Sequence, residues 1–287
     1  MSLADAVREV TGREVRGLER VRGGDINDAF SVQFQDASFA FVKTRDGVAP
    51  GEYAAEAAGL RWLAEPGALA VPEVLAVDER FLALAWVDGG GRLDAAALGR
   101  GLAAVHRAGA DAAGALPPGV HGALRLGPLE LPNATASSWA AFYAENRLLP
   151  LARLAAGRGA LDRAGVRAVE AVAARMDALA GPPEPVARLH GDLWSGNVHA
   201  GADGRPWLID PAAHGGHREV DLAMLQLFGG VGGSGSSFFA AYDEVWPRAD
   251  GHEERVALWQ LFPLLVHAVL FGGGYGASAA RAARRYV

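Results

Sequence analysis

The sequence predicts an α+β protein of two unequal lobes, a small N-terminal five-stranded antiparallel sheet with a helix and a large, mainly helical C-terminal lobe. Three observations predict it. Five strand-like runs and one long helical pattern fall within residues 1–88. The cluster Asp88-Gly89-Gly90-Gly91 then breaks the pattern and marks a hinge near 84–91. From 89 to 287 apolar residues recur at helical spacing between Gly- and Pro-rich turns. A chain of 287 residues suits two lobes that share a cleft.

Residues 3–10 place Leu3, Val7 and Val10 on one face of a short helix that Thr11-Gly12 stops. Strands follow at 17–22, 29–35 and 38–43, the last two joined through Gln35-Asp36-Ala37. Between the first two lies Gly23-Gly24-Asp25-Ile26-Asn27, a turn whose backbone amides can approach phosphates. The two-residue period of the third strand puts Phe39, Phe41 and Lys43 on one face. Residues 52–64 are helical, with the stripe Tyr53, Ala57, Leu60 and Leu63. Glu56 lies beside that stripe, where a carboxylate needs a partner, and Lys43 is the available counter-charge. Glu52 is its rival, one turn nearer the positive end of the helix dipole. Runs at 71–77 and 81–87, separated by Asp78-Glu79-Arg80, complete the sheet.

The second lobe opens with a helix at 94–108, striped by Leu98, Leu102 and Val105. A Gly- and Pro-rich loop at 109–133 precedes a helix capped by Ser137 that carries Trp139, Phe142, Tyr143 and Asn146. Another helix spans 161–179 until Pro182-Pro183. A Gly- and Ser-rich stretch at 229–237 and a core helix at 253–271 follow.

Composition excludes several classes. With 51% hydrophobic and 21% charged residues the chain can bury a sizeable core. A net charge of −6 argues against a nucleic-acid partner, and the cluster Arg281 to Arg285 suits the end of a last helix. The absence of cysteine rules out disulfides, a disulfide-linked dimer and thiolate chemistry; a monomer is expected, though nothing in the sequence fixes the oligomeric state. The first residues lack the pattern of a signal peptide and no apolar run reaches spanning length, so no membrane partner and a cytoplasmic location are expected.

The chemistry concentrates in His190-Gly191-Asp192-Leu193-Trp194-Ser195-Gly196-Asn197 and in Asp210, which follows Trp207-Leu208-Ile209. An Asp and an Asn five residues apart, followed by a second Asp, is the layout of a phosphotransferase centre. Asp192 can deprotonate an acceptor hydroxyl, while Asn197 and Asp210 can hold Mg2+ against the phosphates of ATP. The Lys43–Glu56 pair would position those phosphates, and the backbone from Leu84 through Ala85 and Trp86 to Val87 would receive the adenine. As a bare octapeptide the stretch would be an ordinary polar turn; the upstream lysine strand and Asp210 supply the context.

The form His-Gly-Asp-x-x-x-x-Asn resembles small-molecule kinases of the aminoglycoside phosphotransferase type, which have a protein-kinase-like fold. HGDLWSGN with LIDPAAHGGHREVDLAML resembles the fructosamine (ketosamine) kinase family more narrowly. The resemblance extends over nearly the whole chain, through Gly23-Gly24-x-Ile26-Asn27, Phe41-Val42-Lys43, Glu56 with Gly59-Leu60, and QLFxxxxHxxxFGxGY. It implies ATP-dependent phosphorylation of the third-carbon hydroxyl of a ketosamine, small or protein-bound, a step that reverses glycation. It implies nucleotide contacts at Gly23, Gly24, Ile26, Asn27 and Phe41, and acceptor contacts at Trp194, His217 and His267. Three departures stand out: Asp25 where several relatives carry cysteine, the segment Gly122–Gly127, and Leu265–Val269.

Two other functions fit parts of the sequence. One is a kinase of another small hydroxyl compound, such as an aminoglycoside, choline or a pentose derivative. The other is a metal-dependent hydrolase using His190, Asp192, His199, Asp210, His214 and His217, which leaves Lys43 and Glu56 unexplained.

Overall fold

The computed structural model describes residues 2–21, 26–231 and 235–287. Gly23 and Gly24 of the expected phosphate turn therefore lie outside the described residues. Helix α1 (Leu3–Thr11) starts at Ser2, whose hydroxyl accepts from the Asp5 N–H while the Asp5 carboxylate accepts from the Ser2 N–H. Gly12, at φ 67°, ends it. Strands β1 (Val15–Val21), β2 (Asp28–Phe34), β3 (Phe39–Thr44), β4 (Val74–Val77) and β5 (Phe81–Ala85) form one antiparallel sheet in the order β1-β2-β3-β5-β4.

Helix α2 (Glu52–Ala64) interrupts the strand sequence and packs on the sheet. Strand alternation decides what each face meets. Ala40 and Val42 of β3 join Phe81, Ala83 and Val7 of α1 in one buried cluster. Leu82 and Leu84 of β5 meet Ala57 and Leu60 of α2 in another, with Phe41 packed against it. Lys43 is thereby turned toward α2.

The larger lobe contains α3 (Ala95–Arg107), the hairpin β6 (Leu124–Leu126) and β7 (Leu129–Leu131), α4 (Trp139–Tyr143), α5 (Leu149–Gly157), α6 (Arg163–Ala173) and α7 (Met176–Leu179). Then come β8 (Ala187–Leu189), β9 (Val198–Ala200), β10 (Pro206–Leu208), β11 (His214–Gly216), α8 (Glu219–Leu227), α9 (Gly235–Val245), α10 (His252–Trp259), α11 (Leu261–Phe271) and α12 (Tyr275–Ala283). The short strands pair as β9 with β10 and β8 with β11. The stripe Leu98, Leu102 and Val105 of α3 is fully buried.

Four expectations change. The loop expected at 109–133 contains the β6–β7 hairpin, because Leu-Arg-Leu and Leu-Glu-Leu alternate about the turn Gly127-Pro128. Ser138, not Ser137, caps the helix of Trp139, by accepting from the Ala141 N–H. The helix expected at 161–179 is two, α6 and α7, parted where Arg175 takes φ −113°. The helix expected at 253–271 breaks at Gln260, since Pro263 has no N–H and its ring would collide with the carbonyl four residues earlier. By length and composition His252–Phe271 does reach spanning length, with mean hydropathy 1.3, yet 67% of its most apolar window is buried inside the protein. It reads as core.

Residues 88–91 form a docked seam. The Ala202 N–H donates to the Asp88 carbonyl at 2.8 Å and the Asp94 N–H to the Gly204 carbonyl at 3.0 Å. A Cβ on Gly91 would sit 2.1 Å from the Gly201 oxygen, and one on Gly89 2.7 Å from Nε2 of His199. The glycines at 89 and 91 thus serve close approach to the β9–β10 hairpin. Gly91→Ala is expected to cost about 1–3 kcal/mol by overpacking. A thermal melt checks this, and an unchanged Tm would show that the seam yields freely.

Candidate active site

Strand β8 delivers the stretch that starts at His190, and α8 holds it in place. Oδ2 of Asp221 accepts from the His190 N–H at 2.7 Å, and Oδ1 accepts from the Gly191 N–H at 2.9 Å. The same carboxylate lies 3.1 Å from Nε2 of His106 in α3, whose Nδ1 meets the Tyr242 hydroxyl at 2.7 Å. Gly191 has φ 82°, and a Cβ there would lie 2.1 Å from the Ala212 oxygen, so only glycine fits. His190 is fully buried, and burial lowers its pKa, which keeps it neutral. Its Nε2 donates to the Ile209 carbonyl at 2.9 Å, and its Nδ1 faces the Asp192 N–H at 3.3 Å. It braces the Asp192 loop against the segment that runs from β10 to Asp210.

Asn197 ties the two acids together. Its Nδ2 donates to the Asp192 carbonyl at 2.7 Å and to Asp192 Oδ2 at 3.0 Å. The Ile209 N–H donates to the Asn197 carbonyl at 3.1 Å. Asp210 adopts φ 52°, a left-handed conformation that aspartate tolerates better than most residues and that concentrates at functional sites. Lys43 then reaches across the cleft. Its Nζ lies 2.9 Å from Oδ1 of Asp210 and 2.5 Å from Oε2 of Glu56. The rival Glu52 is taken up by Arg45, at 2.6 and 2.5 Å from the two guanidinium nitrogens.

Burial sets the electrostatics. It pushes the Asp192 carboxyl up to about 7, against the lowering effect of the Asn197 bond and with help from Asp210 and Asp221. Burial also pushes Glu56 up to about 7, and Lys43 only partly offsets this. Oε1 of Glu56 is buried without a hydrogen-bond partner among the described residues. Burial works against the Lys43 charge, yet the adjacent Asp210 and Glu56 overcome it and raise its pKa.

These groups open on a cavity of about 540 Å³, a size suited to a small ligand. Lys43, Glu56, Asp192, Asn197 and Asp210 all line it, as do Ile26, Asn27 and Phe41. Oδ1 of Asn27 accepts from the Tyr53 hydroxyl at 3.0 Å and from Arg45 at 3.2 Å, which anchors the end of the turn to α2. Part of the wall is aromatic. Phe228 stands 4.7 Å from the His267 ring, and Tyr275 and Phe271 flank His267 at 5.0 and 5.4 Å. Trp194, 38% exposed, completes this wall beside Phe228. A Cβ on Gly196 would meet the Trp194 ring at 2.3 Å, so glycine there sets the indole's place.

Two groups of expected site residues fall elsewhere. His217 does not line the cavity. It packs against Trp259 at 5.0 Å and Trp139 at 6.4 Å, because the turn into α8 buries it in the lobe core. Leu84, Ala85, Trp86 and Val87 do not line it either. Leu84 is buried under α2, the Ala85 N–H donates to the Glu73 carbonyl at 2.8 Å, and the exposed Trp86 donates through Nε1 to Asp88. The histidines of the hydrolase reading scatter as well. His190 and His214 bond to the backbone, at Ile209 and Ala212, and no group of three His, Cys, Asp or Glu able to hold a metal ion forms among the described residues.

The departing segments do reach the cavity: Ala123 to Gly127 form one wall, and Val266 and His267 lie in the aromatic one. The chain's alternation about Gly127-Pro128 was the signal for the first. Asp221 lies within the motif that follows Asp210, but neither it nor His106 had a role legible in the sequence, since 115 positions separate them and only tertiary packing joins them.

Comparison with known proteins agrees with this geometry. The family model described as Fructosamine kinase matches residues 1–287. A Synechocystis protein assigned as a ketoamine kinase is 35% identical, over 96% of this chain and 92% of its own. The chloroplastic protein-ribulosamine 3-kinase of Arabidopsis thaliana is 34% identical, over 93% and 81%. A crystal structure from Thermobifida fusca assigned as a fructosamine-3-kinase superposes with TM-score 0.89 at 45% identity, covering 99% of each chain. Remote likeness to a choline kinase and an aminoglycoside phosphotransferase, at 14% and 17% identity, shows the shared protein-kinase-like fold alone. With its cleft, its Asp-Asn-Asp centre and a full-length match, the chain belongs to the fructosamine kinase family of ATP-dependent phosphotransferases.

Proposed function

We propose that the protein transfers the γ-phosphoryl group of ATP to the third-carbon hydroxyl of a ketosamine, with ribulosamines preferred over fructosamines. The observation that carries this is the convergence of Asp192, Asn197, Asp210, Lys43 and Glu56 on one cavity that is also lined by aromatic side chains. Asp192, poised near neutrality and oriented by Asn197, takes the proton of the acceptor hydroxyl. Lys43, held between Glu56 and Asp210, steadies the transferring phosphate. Trp194 and His267 face the sugar.

Mg2+ suits the donors present. With its Nδ2 turned to Asp192, Asn197 has its amide oxygen left over, and Asp210 adds a partly exposed carboxylate. When bound, the ion offsets the charge of the nucleotide phosphates. Residues 1–88 would hold the nucleotide and 89–287 the acceptor, with the boundary at 84–91. Gly23 and Gly24 would complete the phosphate turn.

Mass spectrometry of ribulosamine and fructosamine acceptors incubated with Mg2+ and ATP tests the reading. Phosphate added to both is expected, with faster turnover of the ribulosamine. Blocking the third-carbon hydroxyl should abolish transfer, while altering apolar parts of the amine should change rates about 10–200-fold at most. Transfer to an aminoglycoside or choline and to neither ketosamine would move the protein to another acceptor class.

A further inference from the structure

Arg125 occupies the middle of β6, between Leu124 and Leu126, both of which turn into the lobe core. Strand alternation sends its side chain to the opposite face, and β6 with Arg125 lines the cavity. Across the hairpin its Nη2 lies 2.6 Å from Oε1 of Glu130. Nη1 is buried and has no hydrogen-bond partner among the described residues. A buried donor on a charged group left unpaired is unfavourable, and such atoms are few in folded proteins.

Lys43 and Arg125, the Lys and Arg residues lining the cavity among the described residues, differ in what holds them. Lys43 is fully engaged by Glu56 and Asp210. Arg125 has one nitrogen on a carboxylate that is itself 53% exposed, a pairing water weakens, and a second nitrogen with nothing to bond. The hairpin is also braced. A Cβ on Gly127 would stand 2.9 Å from Cδ1 of Ile26, so the turn packs tightly against the far side of the cleft and fixes where Arg125 sits. The residues placed on the nucleotide phosphates form a set without Arg125, which leaves it to the acceptor.

We infer that Arg125 selects acceptors bearing an anionic group, a carboxylate on the amine part or a phosphate on the sugar, by turning its guanidinium from Glu130 so that Nη1 donates to that group. This rests on the ketosamine kinase reading. The bond is charge-assisted on both sides and correspondingly strong. It makes the departure at 122–127 a determinant of which glycated amine the enzyme accepts.

The test compares the full-length wild type with Arg125→Gln and Arg125→Lys on three ribulosamines. One is made from butylamine, one from 4-aminobutyrate, and one from butylamine with a phosphate on the terminal sugar carbon. KM is measured separately for each acceptor and for ATP, with a thermal melt for each variant. Arg125→Gln should raise KM about 10–100-fold for an anionic acceptor, as expected for loss of a charge-assisted bond. KM for the butylamine adduct and for ATP should stay within about twofold, and Arg125→Lys should recover part of the loss. Whichever anionic acceptor suffers identifies the carboxylate or the phosphate. An equal loss on all three acceptors, or a rise confined to the KM for ATP, overturns the inference. Wild-type transfer to none of the three overturns the ketosamine reading, and this inference with it.

Discussion

Asp192→Asn should lower turnover by about 10²–10⁴-fold, the usual contribution of a positioned acid or base, and leave nucleotide binding near wild type. The structure explains why the effects separate. Asp192 is tied to Asn197, whereas Lys43 contacts Glu56 and Asp210. Asparagine keeps an oxygen to accept from Asn197 and loses the ability to take a proton. The pH profile sharpens the test. Since burial pushes Asp192 up to about 7, kcat/KM of the wild type should rise with pH through that region, and the variant should lose that limb.

Stability follows in the opposite sense. The folded pKa lies above the ordinary value of 3.8, so between that value and about 7 the native state binds more protons than the unfolded chain. The contribution of Asp192 to stability is therefore present below the ordinary value and lost as pH rises through about 7. Asn cannot ionise, so Asp192→Asn should melt higher than wild type at pH 8, and the gap should narrow toward pH 4. Nucleotide titration, a pH–rate profile and melts at two pH values check these together. Lost nucleotide binding would place Asp192 among the phosphate-holding groups instead.

The second large effect belongs to Lys43. Lys43→Met strands Glu56 and Asp210 against each other with no cation between them, while Glu56→Gln leaves Lys43 its contact with Asp210. Lys43→Met should thus lower kcat/KM on the order of 10²–10³-fold, the cost of removing one preorganised electrostatic group. Glu56→Gln should cost distinctly less. The double variant should cost little more than Lys43→Met, because Glu56 acts through the lysine. A double-mutant cycle on nucleotide-dependent activity reads this. Additive losses would show that Glu56 acts without Lys43.

Much of this was legible in the sequence because it is periodic or local. Two-residue alternation put Phe41 and Lys43 on one face, and the 3.6-residue stripe of Tyr53, Ala57, Leu60 and Leu63 set Glu56 beside the core. Asp192 and Asn197 share one turn, so their spacing alone suggested that they act together. The choice of Glu56 over Glu52 was weighed from burial and became a contact only when the chain folded. Arg45, too close in sequence to stand out, is what removes Glu52 from the lysine.

Tertiary structure decided the rest. His217 belongs to the same motif as the cleft residues, yet the turn into α8 packs it against Trp139 and Trp259, because sequence proximity does not say which way a turn points. The glycines at 88–91 read as a loose joint, and packing made two of them contact points for the β9–β10 hairpin. The Asp221 carboxylate that holds the His190–Gly191 backbone, and the Arg125 and aromatic parts of the cavity wall, come from segments far apart in the chain. By itself the sequence determined the fold class, the family resemblance and the acids, amide and lysine of the centre, because local spacing and side-chain chemistry carry that information. Only the folded chain decided which side chains face the cavity, since that depends on long-range packing that no local period encodes.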